Sequence, residues 1–426
     1  MGDHTDQRRG SRSDVIVIGA GLAGLACATD LCAAGRTVQV LEASDGVGGR
    51  MRTDRRDGFL LDRGFQVFNT SYPQVKQRLR LPELRLCPFT PGVLVHGATG
   101  RRRFIDPTRR PGAAKDLLPG RLASGRDLLA LSVLSARDLF GPVSAIRRGA
   151  DRTTRTALAD AGISDELTET FLRPFLAGVF LDDDLETSSR FFHLVWRGML
   201  RGTQCLPAEG IGAVPGRLAE RLPPGTVRPG TPVEALTDTG VLLADGTERA
   251  AGAVVVATGP AAAARLLPGL EVPATRTVTT YYHAMPSAES PLREPALLID
   301  ERRRLLNTCV LSEVAPSYAP VGRALVSTSV LGADVPGREI TLLSDLAEVY
   351  GANTTSWQPV STYTIEGALP VMTPPWPLTR RAGQGAGRYV CGDHRATGSV
   401  QGALASGARA AREVLRDTFG PGPELS

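Results

Sequence analysis

With 426 residues, 42% of them apolar, the chain is long enough to bury cores in two or three domains. Lys plus Arg is 49 against 44 Asp plus Glu, and this net +5 is scattered along the chain, which argues against a nucleic-acid partner. The six cysteines form no CxxC pair, so neither a disulfide framework nor a metal site is expected, and a reducing cytoplasm is the default location.

Residues 1–11 are polar and read as a disordered lead-in, and 419–426 as a disordered tail. Arg8-Arg9 ahead of an apolar stretch has the look of a twin-arginine signal, but that stretch is better explained as a strand and helix. Asp14 to Ile18 is an apolar, β-branched run of the kind a buried parallel strand needs. Gly19-Ala20-Gly21-Leu22-Ala23-Gly24 follows at once, then an Ala- and Leu-rich helix over 22–34, then a strand over 37–41 that ends at Glu42. In this context Gly19 allows the tight turn, Gly21 lets the backbone approach a pyrophosphate, and Gly24 lets helix and strand pack closely. The helix N-terminus offers free N–H groups to the phosphates. The Glu42 carboxylate suits two ribose hydroxyls and would repel a 2′-phosphate, which disfavours NADP.

Glu42-Ala43, then Gly48-Gly49-Arg50-Met51-Arg52-Thr53, continues the pattern. GxGxxG followed by E-A-x-x-x-x-G-G-R-x-R-T resembles the flavin amine oxidase superfamily, which includes monoamine and polyamine oxidases, protoporphyrinogen oxidase and phytoene desaturases. The resemblance implies non-covalently bound FAD, with Gly48, Gly49 and Arg50 near the pyrophosphate or flavin and the Leu61 to Gln66 segment, Gly64 included, passing the flavin ring. It extends to the other end, where Arg388 to Leu415 reads as strand, Gly-Asp, glycine turn and helix. Carried over, Gly392 and Asp393 meet the ribityl and pyrophosphate groups, and Val400, Gln401 and Gly402 the pyrimidine edge. Between the ends, a helix after Leu206 to Gly212, short strands over 226–228, 233–236 and 240–243, and an apolar strand ending in Ala257-Thr258-Gly259 complete the unit. Val233 falls where the family packs backbone against adenine.

The fold expected is α/β: a discontinuous Rossmann-type FAD domain (12–69, 206–270, 384–418) and an α+β substrate domain (70–205, 271–383). Arg121 to Phe140 has helical Leu spacing. It reads as a helix packed in its own domain, with a membrane-surface helix as the alternative, so peripheral membrane contact stays open. Phe175, Phe180, Phe191, Phe192 and Trp196 suit either an apolar pocket or a plain core.

In the resembled family the flavin does the chemistry, taking a hydride at N5 from a small apolar or amine substrate and passing electrons to oxygen or a quinone. Two departures bear on the substrate. Many members carry a Lys near N5; alignment on Tyr281-Tyr282 puts Thr277 there, beside Arg276, and the only lysines are Lys76 and Lys115. Many frame an amine with aromatics, yet 392–402 has none. His394 and Tyr282 are the candidate catalytic side chains, with a structural hydrogen bond as the alternative for His394; His193 and His283 are weaker candidates. Two activities follow: FAD-dependent oxidation, tilted toward carbon–carbon desaturation, or a non-redox isomerase or FAD-binding protein of the same fold.

Overall fold

The computed structural model describes residues 13–105, 109 and 123–420. The lead-in and most of the expected tail lie outside these residues, as do Arg121 and Leu122 of the Leu-rich stretch. The C-terminal helix, Val400–Phe419, takes in the first residue of that expected tail.

Two large sheets organise the chain. In the first, five parallel strands lie in the order Val227–Arg228, Val38–Leu41, Ser13–Ile18, Glu248–Val256, Arg388–Val390. The strand that leads into the glycine turn is therefore central. Its side chains alternate between faces. Val15 and Val17 pack under helices Leu22–Ala33 and Val400–Phe419, while Ile16 and Ile18 pack under an antiparallel meander made by Val233–Thr237, Gly240–Leu243 and the start of Glu248–Val256. Both faces are covered, which is why the strand reads as an unbroken apolar run.

The two covering helices cross at small residues. A Cβ on Gly407 would stand 2.1 Å from the Ala23 carbonyl oxygen, so the approach of the first and last helices depends on that glycine. Gly407→Val is expected to cost about 1–3 kcal/mol or more through overpacking. Urea melts check this; an unchanged midpoint would mean that the helices part freely.

The second sheet has seven strands in the order Gln358–Pro370, Thr275–Pro286, Arg323–Leu331, Asn307–Val310, Leu297–Asp300, Gly92–Gly97, Gly100–Ile105. All its pairings are antiparallel except that of Leu297–Asp300 with Gly92–Gly97. One face, through Val93, Val95 and Ile299, meets helices Gly125–Phe140, Arg173–Phe180 and Ser189–Arg201. The other, through Leu94 and Leu298, meets helix Arg338–Tyr350. Phe175, Phe180, Phe191, Phe192 and Trp196 all belong to the first of these layers and pack on one another, with Phe180 and Phe191 centroids 5.4 Å apart and Phe192 and Trp196 5.9 Å apart. Of the two readings left open for them, the structure gives the core. Among the described residues no helix is long and apolar enough to cross a membrane.

Candidate functional site

The glycine turn has the geometry its residues require. Gly19 sits at φ +103°, and a Cβ there would lie 2.9 Å from the Ala257 carbonyl oxygen. A Cβ on Gly24 would lie 2.0 Å from the Gly19 carbonyl oxygen. Gly21 differs: its φ is −73°, and a Cβ there would meet nothing within 4 Å. Gly21 is also the N-cap of helix Leu22–Ala33, and no side chain caps that end. The helix start therefore presents its N–H groups to open space, which favours an anion.

The other sequence candidates connect to this turn through a chain of bonds. Thr231 N–H donates to the Glu42 carbonyl at 2.8 Å, which brings the Val233 strand beside Glu42. The Glu42 carboxylate accepts from Ala20 N–H at 2.7 Å and from Ser44 N–H at 2.9 Å. Gly48 N–H donates to the Ala20 carbonyl at 2.9 Å, and Gly48 and Gly49 both hold positive φ. Arg50 then reaches Asp393 at 2.7 Å and donates to the Gly367 and Ala368 carbonyls at 3.3 and 2.5 Å. Gln66 donates to the Arg50 carbonyl at 2.8 Å, and Gly64 lies against Ile365 of the second sheet. At the last helix Ser399 accepts from Gly402 N–H, and Gln401 accepts from Gln74 N–H at 2.9 Å. A Cβ on Gly402 would fall 1.9 Å from the Thr397 carbonyl oxygen; Val400, the residue that starts the helix, is half-buried. The line from Val233 through Glu42, Gly21 and Gly48 to Arg50 and Asp393 has the chemical order of a long dinucleotide: sugar acceptor, anion cradle, then charged pair. A cleft of about 460 Å³ opens at the sheet edge beside Glu42, lined by Leu41, Arg228 and Thr231 among others, off the line of the glycine turn.

At the far end of this line lie the 61–66 segment and the tyrosine and histidine candidates, joined by Tyr318, which had no signal in the sequence. Asp62 is buried, and its carboxyl group bonds the hydroxyls of Thr53 (2.6 Å) and Tyr318 (2.8 Å) and the N–H of Ile211 (2.9 Å). Burial pushes that carboxyl up to about 6 despite these bonds. Tyr282 donates its hydroxyl to the Asp62 carbonyl at 2.7 Å and is fully buried, so it ties down the strand that leads to Gly64 and presents no surface to a reacting molecule. His394 is also buried, its ring folded back over Gly392, and neither ring nitrogen has a hydrogen-bond partner. Burial, against the pull of Asp393, pushes this imidazole down to about 4, so it is neutral at pH 7. His193 is bonded to the buried Asp138 at 2.7 Å, a link between two helices. His283 lies fully buried within the second sheet.

Where Arg50 meets Ala368, helix Arg173–Phe180 and two strands of the second sheet enclose a small apolar cluster. Ala177, Leu181, Val278 and Leu306 are buried there, with Ile365, Ala368 and Leu369 partly buried against them. Thr277 sits one residue before Val278, where the strand carries an irregularity, and its neighbour Arg276 is paired with buried Asp182 at 3.0 Å. Trp376 packs near the Gly392 loop, but it is buried with its indole N–H donated to the Ala396 carbonyl at 2.7 Å. Lys76 is exposed in the last turn of helix Pro73–Arg78, and Lys115 is outside the described residues.

The family profile described as flavin containing amine oxidoreductase matches residues 22–415. The chain belongs to that family. FAD is its cofactor; its relatives there are FAD-dependent oxidoreductases, and the match spans about one seventh of the length of the first curated relatives. Putrescine oxidase of Kocuria rosea is 55% identical over 67 residues, a stretch that takes in 15% of this chain and 14% of that enzyme. Cyclohexylamine oxidase from Brevibacterium oxydans IH-35A shares the fold at a TM-score of 0.65, with 19% identity over 95% of this chain and 99% of the other. A reduced UDP-galactopyranose mutase shares it at 0.67, with 16% identity and 95% of each chain covered. The fold is thus common to oxidases and a mutase.

The donor set fits FAD: an uncapped helix start facing open space, a glycine cradle, a carboxylate at the sugar position and buried, unpartnered imidazole nitrogens at the far end. The cysteine nearest these motifs, Cys391, is fully buried in the sheet core, which leaves non-covalent binding as the mode this end of the site supports.

Proposed function

We propose that this protein oxidises a small, largely apolar molecule at a C–H bond, as a dehydrogenase or desaturase, with oxygen or a quinone as final electron acceptor. Residues 12–69, 206–270 and 384–418 hold the cofactor; 70–205 and 271–383 enclose the substrate. FAD, when bound, supplies the hydride acceptor. The observation that carries the reading is the apolar cluster of Ala177, Leu181, Val278 and Leu306 beside Arg50. It puts a closed, dry apolar wall behind the Ala368 carbonyl that Arg50 holds, and contains no amine-binding carboxylate or aromatic pair. The nearby acids are already paired, Asp182 with Arg276 and Asp183 with Arg303.

The chain's own residues then have distinct tasks. Glu42 binds the ribose, and the Gly21 helix start with Gly48 and Gly49 binds the pyrophosphate. Arg50, held by Asp393, fixes the cofactor's position against Ala368 and Leu369. Tyr282 and Tyr318 position the 62–64 segment through Asp62. His394, neutral and buried, serves as a hydrogen-bond partner rather than a proton relay.

Anaerobic mixing of the FAD-loaded enzyme with a substrate panel tests this. Polyenes or terpenoids are expected to bleach the flavin, and primary amines to leave it oxidised. Rapid bleaching by amines would overturn the apolar reading. Product formation only after chemical pre-reduction, with no net bleaching, would establish the isomerase instead.

A further inference from the structure

Helix Gly125–Phe140 buries one side and leaves a second apolar stripe bare. Leu131 and Leu134 pack into the helical layer, with Asp127 and Asp138 buried on the same side. On the other side Leu129, Val133 and Phe140 are 66%, 62% and 82% exposed, three of the seven exposed large apolar side chains among the described residues. At about 100° per residue their positions fall within roughly 40° of arc, so they form one line along the helix. An ordinary soluble surface scatters such side chains singly; this one aligns them.

The charges beside the stripe have one sign. Because Asp127 and Asp138 are buried, the exposed charged side chains of this helix are Arg126 and Arg137, both on one edge of the line, with Arg137 turned onto Asp138 and His193. After the Gly141-Pro142 turn, helix Val143–Arg148 adds exposed Arg147 and Arg148 and no acid. The exposed acids Asp165 and Glu166 follow Ser164, which bonds Asp127 on the buried side of the helix.

We propose that this face docks on an anionic phospholipid surface, with Leu129, Val133 and Phe140 entering the acyl boundary and Arg126, Arg147 and Arg148 meeting the headgroup phosphates. Such a face combines apolar insertion with charge attraction, the two contributions that stable peripheral binding needs. Helix Gly125–Phe140 packs through Leu131 and Leu134 on the layer that also contains Leu176 and Phe180, next to Ala177 of the apolar cluster. The docking does not rest on the proposed apolar substrate.

The test is co-sedimentation of the FAD-loaded full chain with vesicles of phosphatidylcholine, with or without phosphatidylglycerol. At least tenfold tighter binding to the anionic vesicles is expected, weakening with added salt. The triple variant Leu129→Ser, Val133→Ser, Phe140→Ser should lose that binding while keeping its flavin spectrum and melting temperature. The variant Arg126→Glu, Arg147→Glu, Arg148→Glu should lose the preference for anionic lipid. Equal binding of wild type and the serine variant, or no binding to anionic vesicles, would overturn the proposal. So would a concentration-dependent dimer that the serine variant abolishes, since the stripe would then belong to a second copy. Sedimentation reads out none of the redox chemistry, so failure here and failure of the proposed reaction are distinguishable.

Discussion

Gly21→Val is expected to weaken FAD binding by a hundredfold or more, about 3 kcal/mol, while the apoprotein keeps its fold. Gly21 has ordinary φ and open space where its Cβ would be, so the protein itself has no use for the missing side chain. The change at the N-cap costs the helix no more than about 1 kcal/mol. What the valine removes is the close approach of backbone N–H groups to phosphate. Gly24→Val is the contrasting variant. Its Cβ would stand 2.0 Å from the Gly19 carbonyl oxygen, so it should damage the fold with or without cofactor. Flavin fluorescence titration and apoprotein melting curves separate the two. If Gly21→Val binds FAD as the parent does, the open space above Gly21 is not the pyrophosphate site.

The second large effect concerns Asp62 and pH. Its folded-state pKa is raised to about 6 from an ordinary 3.8, chiefly by burial. The protonated form is thus favoured in the fold. The stability it contributes is complete below about pH 4 and is lost as pH rises through about 6. Ionising this buried group costs about 3 kcal/mol by pH 7. Asp62→Asn avoids the cost and can keep the three bonds: its Oδ1 accepts from Thr53 and Ile211, and its amide donates to the Tyr318 hydroxyl. Urea melts across this range should show the Asn variant gaining on the parent by about 2 kcal/mol as pH rises from 4 to 7. A constant difference across that range would mean that Asp62 ionises freely in the fold.

The cofactor half of the site was legible in the sequence because its signals are local. A strand, a glycine turn and a helix fall within twenty residues, and the same physics that forces glycine at 19 and 24 leaves 21 bare for a ligand. The Gly392-Asp393 turn is equally compact. The substrate half was not legible in this way. The Asp62–Tyr318 bond spans 256 residues, and the apolar cluster draws on Ala177, Val278, Leu306 and Ile365 from separate segments. The phenylalanines of 171–196 suit a pocket wall and a core equally in the sequence; packing against Trp196 and the second sheet makes them core. The same limit applies to the Leu-rich helix, where spacing marks Leu131 and Leu129 alike as apolar and only the fold places one inside and one out. Tyr282 and His394 stood out for residue type and position; the fold closes Tyr282 onto the Asp62 carbonyl and leaves His394 buried with unpartnered ring nitrogens.

The most direct test of the account is the visible spectrum of the purified protein, taken oxidised, then after reduction without air, then after mixing with oxygenated buffer. Oxidised-flavin bands that bleach on reduction and return with an acceptor are the expected result. The speed of their return with oxygen decides between oxygen and a quinone. A protein that stays colourless even after incubation with FAD would contradict the central claim.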